Sequence, residues 1–431
     1  MKRILIFLLI LLGGMHLRAQ DNSNPFAKKT RLNFAKTYYE LGGSYVPSFT
    51  GEILSNSGRE SIKHSGSFNT NLSWGGFHFW GHAEFFVSFP LRQFHTNENT
   101  YNFKHVAVTG ARFLPWAFRE KKLRPYIGLN WSAFDFQQGN DPINEGPKLE
   151  KNFSLVPNIG ILYGYKNFAV RLGADFFLDN EWQYPISKNE FATIHTPKYS
   201  LNLSLLYYME SSADNKYENS EERWNSYPTV SSLGYNSNSF GDFFVGIGPS
   251  ISFSLSQSEY LNDKYPYLEK RKSSESYFDI ALGYQFNKLN MFTALSFRNP
   301  EFIRSAFGEQ LRIKKTSFAL EFTKFLTDYS GFAPYVGLNI AYDKINLTEK
   351  NNTISYEHNF KRVEPGFTFG WDIVPGKTEE YLVLRTNLRW YPFANYTVNG
   401  KRFKIDQLEY NLIQVLFYPQ RFLRAKKIRL F

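Results

Sequence analysis

Apolar and polar residues alternate with a period of two in many short stretches of this 431-residue chain. That is the pattern of a β-strand with two unlike faces. Tyr199, Leu201, Leu203, Leu205 and Tyr207 share one face, and Ser200, Asn202 and Ser204 the other. Phe278, Ile280, Leu282, Tyr284 and Phe286 oppose Asp279, Ala281, Gly283 and Gln285. Phe168, Val170, Leu172, Ala174 and Phe176 oppose Ala169, Arg171, Gly173 and Asp175, while Val245, Ile247, Ile251 and Phe253 oppose Gly246, Gly248, Ser250 and Ser252. A wall that is apolar outside and small, polar or charged inside belongs to a membrane β-barrel, and a soluble barrel or sandwich reverses it. Alternation alone does not say which face is which.

The connections alternate too. Short ones fall at 80–82, 166–167 and 287–289, and long polar ones at 51–67, 139–152, 181–198, 256–276 and 348–362. Short turns on one side and long loops on the other are what a membrane barrel needs.

The chain also repeats itself. Pro125-Tyr126-Ile127-Gly128-Leu129-Asn130 returns as Pro334-Tyr335-Val336-Gly337-Leu338-Asn339. Val156-Pro157-Asn158-Ile159-Gly160 is followed in order by Val170-Arg171-Leu172 and 199–207; Glu364-Pro365-Gly366-Phe367 is followed by Leu384-Arg385-Thr386 and 410–418. This divides the chain into related halves at 37–209 and 240–419, each with room for eight strands. Residues 210–239 between them, rich in Ser, Asn and Glu, read as a linker, and an even strand count puts it in the periplasm. Residues 420–431 are left as a basic tail, in which Arg421, Arg424, Lys426, Lys427 and Arg429 would rest on anionic headgroups or fray.

Residues 1–20 have the layout of a cleaved signal peptide: Lys2 and Arg3, the apolar run Ile4 to Leu12, and a cleavage site near Ala19 or Gln20. The run is too short for a spanning helix, which takes about 20 residues. With no cysteine in the chain, a disulfide framework, thiolate metal sites and a lipidated N-terminal cysteine are excluded. A membrane protein without spanning helices must be a closed barrel, because lipid offers no partner to an open sheet edge. Phe (43) and Tyr (28) are abundant while mean hydropathy stays at −0.40, as expected where lipid-facing and lumen-facing residues average out. The net charge of +11 suits a solvated surface or anionic lipid and lipopolysaccharide; export argues against nucleic acid.

On these strands, with Glu40-Leu41-Gly42-Gly43-Ser44-Tyr45-Val46 and Val245-Gly246-Ile247-Gly248 opening the halves, each half resembles the small eight-stranded outer-membrane barrels of the OmpA and OmpX type. The resemblance implies insertion into a Gram-negative outer membrane by the barrel assembly machinery, commonly with a C-terminal aromatic such as Phe431; Phe417 or Tyr418 is the alternative end of the last strand. The fold expected is all-β: two tandem antiparallel transmembrane barrels or, alternatively, one sixteen-stranded barrel. Inward glycines (Gly42, Gly128, Gly173, Gly246, Gly283) and the long linker favour two narrow barrels.

Candidate chemistry is sparse. Arg171 and Arg385, in equivalent positions, and Glu40, Asp175, Asp279 and Glu321 are expected in the lumen. They form either a salt-bridged plug or a charged constriction, and the plug is favoured because buried charges are normally paired. Trp182, Tyr184, Tyr265, Tyr267, Lys270 and Arg271 in the long loops are candidate contacts for a partner or anchors at the lipid interface. His64, His78, His82, His95, His105, His195 and His358 sit in no recognisable nucleophile or zinc motif, so no catalytic, metal or cofactor residue is assigned. The expected role is non-enzymatic, structural or surface-binding, through the external loops, with the extracellular ligand unspecified. A porin for small solutes and a barrel hydrolase acting on lipid or peptide are the alternatives.

Overall fold

The structure, a computed structural model, describes residues 35–55, 58–92, 95–98, 101–138, 149–178, 180–195, 197–210, 240–255, 258–268, 273–287, 289–326, 332–351, 353–373 and 381–425. The signal segment and nearly all of the linker lie outside these.

In the first half the strands are β1 (Lys36–Val46), β2 (Phe49–Ser55), β3 (Gly58–His64), β4 (Ser67–His78), β5 (Ala83–Arg92), β6 (His95–Glu98), β7 (Tyr101–Phe113), β8 (Leu123–Gln138), β9 (Leu149–Tyr165), β10 (Phe168–Phe176), β11 (Glu181–Pro185), β12 (Phe191–His195) and β13 (Tyr199–Glu210). A 9-stranded sheet runs β5-β4-β1-β13-β10-β9-β8-β7-β6, and an extra β5–β7 pairing closes it. The ring holds eight strands, with β6 folded back outside it, and all its ladders are antiparallel. The hairpin strands β2, β3, β11 and β12 form a separate 4-stranded sheet at the mouth.

The second half repeats the plan. Its strands are β14 (Gly241–Ser254), β15 (Tyr277–Phe286), β16 (Met291–Arg298), β17 (Glu301–Ala306), β18 (Glu309–Phe325), β19 (Phe332–Asn351), β20 (Ser355–Ile373), β21 (Leu382–Tyr391), β22 (Asn395–Val398), β23 (Lys401–Lys404) and β24 (Gln407–Phe417). The order β16-β15-β14-β24-β21-β20-β19-β18-β17 closes through β16–β18, again leaving a ring of eight. Two short helices are added, α1 (Glu259–Lys264) and α2 (Pro419–Ala425). Each ring closes on itself with no ladder between the halves among the described residues, so the fold is two tandem eight-stranded transmembrane barrels and not one of sixteen strands.

The repeated sequence segments occupy the same ring positions. Pro125–Asn130 lies in the fifth ring strand, β8, and Pro334–Asn339 in the fifth of the second ring, β19. The packing explains the motif: Tyr126 pairs with Gly160 across the ladder, and Tyr335 with Gly370. A Cβ on Gly160 or Gly370 would run into the tyrosine ring and a neighbouring carbonyl oxygen. Glycine is needed here so that the ring can lie flat on the strand.

The apolar alternation faces outward. Leu172, Leu203, Ile247 and Leu282 are all about half exposed, while Arg171, Ser204, Ala281 and Asp279 beside them are buried. In a lipid-spanning wall this is the expected polarity. Inside, each barrel is layered. At the end bearing the short turns sits an aromatic plug, built from Tyr38, Phe77, Phe118, Tyr126 and Tyr208 in one barrel. Phe244, Phe292, Phe325, Tyr335 and Tyr418 build it in the other. Polar and charged side chains fill the middle, and a second apolar cluster closes the opposite mouth.

Two sequence expectations change. Long connections hold paired strands: in 348–362, β19 (20 residues) runs to Asn351 and β20 (19 residues) starts at Ser355, as 51–67 and 181–198 hold β2–β3 and β11–β12. Ile345 and Leu347 keep the inward face apolar while Lys344, Asn346 and Lys350 face out, and the polar outer row is what makes the segment resemble a loop in sequence. The basic tail does not begin free either. Residues 419–425 form α2, and Arg421 (2.9 Å) and Arg424 (2.5 Å) hold the buried Asp242 at the short-turn end of the second barrel, so the buried Arg421 is not offered to headgroups.

Candidate functional site

The lumens come first, because an open channel or a plug would decide the function. In the first barrel Arg171, on β10, reaches Glu40 on β1 and Glu84 on β5 (2.6 Å to the latter). Arg112 on β7 donates to the same Glu84 oxygen at 2.6 Å, and the Tyr38 hydroxyl donates to it as well. Four strands are thereby tied across the barrel by one buried cluster. Asp175, nearer the outer mouth, accepts from Asn130 (2.9 Å), Asn202 (2.8 Å) and Ser200 (3.2 Å).

The second barrel carries a larger network. Arg385 makes a two-pronged bond to Asp372 (2.7 and 2.8 Å) and lies 3.7 Å over the Phe292 ring. Arg389 joins Asp279 to Glu321, the latter at 2.7 Å. Arg298 pairs with Glu409, and Lys315 bonds Asp343 (2.9 Å) and Glu409 (3.1 Å). Charges this deeply buried persist only when paired, and here each arginine is met by a carboxylate. Such a lumen is crossed by paired side chains, as expected for eight strands.

Of the lumen residues read from sequence, Arg171, Arg385, Glu40, Asp279 and Glu321 are buried inside, and Asp175 is half-buried there. Sequence reasoning passed over Glu84, Arg112, Arg298, Lys315, Asp343, Asp372, Arg389 and Glu409. Glu84 carried a usable signal, since Glu84, Phe86 and Ser88 alternate with the outward Phe85, Val87 and Phe89.

The loop aromatics require a correction. Trp182, Tyr184, Tyr265 and Tyr267 are neither displayed to a partner nor placed at the lipid interface; all four are at most 6% exposed. Trp182 and Tyr184 pack with Phe49, Phe136 and Ile194 in a small core above the first barrel. Tyr265 and Tyr267 join Tyr260, Phe302, Leu347 and Phe403 in a cap over the second. The outer segments are long enough to bury a core of their own, and aromatics in a long polar segment are what build it. Lys270 and Arg271 lie outside the described residues.

The cap over the second barrel is also tied by charge. Ser258 caps α1 by accepting from the Leu261 backbone N–H. From the end of α1, Lys264 donates to Glu349 (2.7 Å) and to the Tyr260 hydroxyl (3.2 Å). Burial works against the Lys264 charge, but these bonds win and raise its pKa. The two caps also touch. Lys188, at the turn between β11 and β12, donates to Glu309 at 2.7 Å, and Tyr267 donates to the other Glu309 oxygen. At the opposite end of the barrels, Phe79 meets Phe332 (5.0 Å between ring centroids) and Phe85 lies near Trp371 (6.3 Å).

Several of the described histidines have a neighbour that accounts for them. His358 lies 3.8 Å from Glu349, which Lys264 already engages, and His195 lies 3.8 Å from the exposed Glu181. His82 pairs with the Leu114 carbonyl oxygen at 3.0 Å. Among the described residues no three His, Cys, Asp or Glu side chains converge to hold a metal.

No protein-family model and no curated protein matches this chain. Solved structures do. Neisserial surface protein A matches at 12% identity over 41% of this chain and 96% of its own, with a TM-score of 0.30. Ail, the attachment invasion locus protein of Yersinia pestis, matches at 13% identity over 42% and 99%, TM-score 0.28. OmpT, an outer membrane protein of Vibrio cholerae, aligns at 9% identity over 89% and 97%, TM-score 0.17. These likenesses carry no argument by themselves; the fold, two eight-stranded barrels in tandem, rests on the ring topology.

Proposed function

We propose that this is an outer-membrane protein of a Gram-negative cell with a non-enzymatic, structural or surface-binding role, performed by its folded external caps. One observation supports the reading: paired charges cross both lumens over an aromatic plug, which favours filled barrels over conduits. The protein's working surface is then what lies outside the lipid. The outward apolar walls favour a membrane setting. An outer membrane, reached after export by a cleaved signal segment and insertion by the barrel assembly machinery, is the setting in which such barrels fold. Duplication of one ancestral barrel is part of the same reading, supported by the matched ring positions of Tyr126 and Tyr335.

The test is conductance of the refolded, signal-free protein in a planar lipid bilayer. Protein that has migrated as a folded, heat-modifiable species should give no stable steps. Large ohmic steps would overturn the plugged reading and return the porin to consideration.

A further inference from the structure

The outward face of β18, β19 and β20 changes character abruptly. Phe318, Tyr342 and Val363 lie side by side across the three strands and are 48%, 48% and 57% exposed. They are the last apolar row. In the next row outward, Lys344 is directly opposite Lys361 and next to Thr316; one row further, Lys314 faces Asn346, which donates to Asn359 at 3.0 Å. The three lysines are exposed and on the same outer wall as the apolar row. Like charges directly opposite each other destabilise a ladder. No ion pair relieves them among the described residues: the neighbouring Glu301 is engaged by Arg312, and Glu357 lies beyond the Asn346–Asn359 row.

We propose that Lys314, Lys344 and Lys361 form a binding site for the phosphate headgroup of a membrane glycolipid of the lipid A type, its acyl chains lying against Phe318, Tyr342 and Val363. This rests on the membrane reading above and goes further by giving one wall of one barrel a ligand. The ammonium groups stand where headgroups begin, and a phosphate of about −1.5 to −2 charge offsets the opposed lysines. The apolar row below meets the chains, so the occupant is an amphiphile and not free phosphate.

The experiment is native mass spectrometry of the full signal-free protein released from mild detergent after incubation with lipid A. Wild type should retain it, and the K314Q/K344Q/K361Q variant should retain at least about tenfold less. A control variant losing the same charge at the other end, K121Q/K122Q/K166Q, should retain as much as wild type. Dephosphorylated lipid A should bind wild type as poorly as phosphorylated lipid A binds the triple variant. Equal retention by wild type and the triple variant would overturn the site, as would displacement by millimolar inorganic phosphate. All three proteins should float with phosphatidylcholine vesicles and shift on heating in gels. Failure of wild type to float overturns the membrane reading itself, a result distinct from loss of the site alone.

Discussion

Arg171, reaching in from β10, holds two carboxylates of the first lumen, Glu40 on β1 and Glu84 on β5. Replacing it by methionine keeps much of the volume and removes the charge, leaving Glu40 buried beside nothing that compensates it. Breaking a buried pair in this way costs about 3–5 kcal/mol. R171M should therefore lower the urea midpoint of the refolded protein, and R171M/E40Q should recover part of the loss, because it removes the stranded charge. Equal midpoints for wild type and R171M would sink the view that this cluster holds the barrel. That Arg171 points inward is legible in sequence, because Val170, Leu172 and Ala174 flank it in clean alternation. Lys315 is not legible: Lys314 and Lys315 are adjacent and identical, yet one is exposed and the other 2% exposed. Only the register of β18, which sets Lys315 opposite Ile345 and beside Asp343, decides which one enters. Arg389 keeps the parity of Arg385 along β21, and the irregularity between Arg385 and Asn387 is taken up by an extra residue on β24.

At the level of elements, the external segments depart furthest from expectation. Period-two reasoning locates strands by an apolar outer face, and that face ends where the membrane does. Beyond Tyr342 and Phe318 the strands continue with a polar exterior and an apolar interior, reversing the signal. The hairpin β11–β12 is similar, and its turn supplies the contact between caps. Glu309 lies there, well outside the apolar row. Burial pushes its carboxyl up, but the bonds from Lys188 and Tyr267 outweigh this and hold it below the ordinary range. A carboxylate depressed in the folded state stabilises the contact above its ordinary pKa of about 4.3, and that contribution is lost as pH falls through the lower folded value. The cap contact should thus be intact at neutral pH and open in acid. The chain has no cysteine, so spin labels on N189C and Q310C report the distance cleanly. The distribution should be narrow at pH 7 and broad near pH 3, and E309Q should be broad at both. A distribution unmoved by acid would remove Glu309 from this role.

For the whole molecule, the question is how independent the two barrels are. The linker length and the inward glycines already argue for two rings, and closure of each ring through β5–β7 and β16–β18 is the physical reason: every inward strand edge is paired within its own half. Among the described residues, ion and aromatic pairs join the halves besides the covalent chain. An exposed ion pair such as Lys188–Glu309 contributes about 0–1 kcal/mol. Aromatic pairs such as Phe79–Phe332 add about 0.5–1.5 kcal/mol each. Against this stands the cost of holding two bodies together, about 4 kcal/mol or more. Cutting the chain at a protease site inserted within 211–239 should therefore leave both halves folded but no longer held as one particle. In mild detergent the cut protein should separate into two species on size exclusion, each retaining its own heat-modifiable shift. Two other results would be informative. A cut that unfolds both halves together would mean that the rings depend on one another for closure. A cut pair that stays together through chromatography would mean that the contacts at Phe79, Phe85 and Lys188 are part of a larger and tighter interface, in which case E309Q should separate the halves only in part.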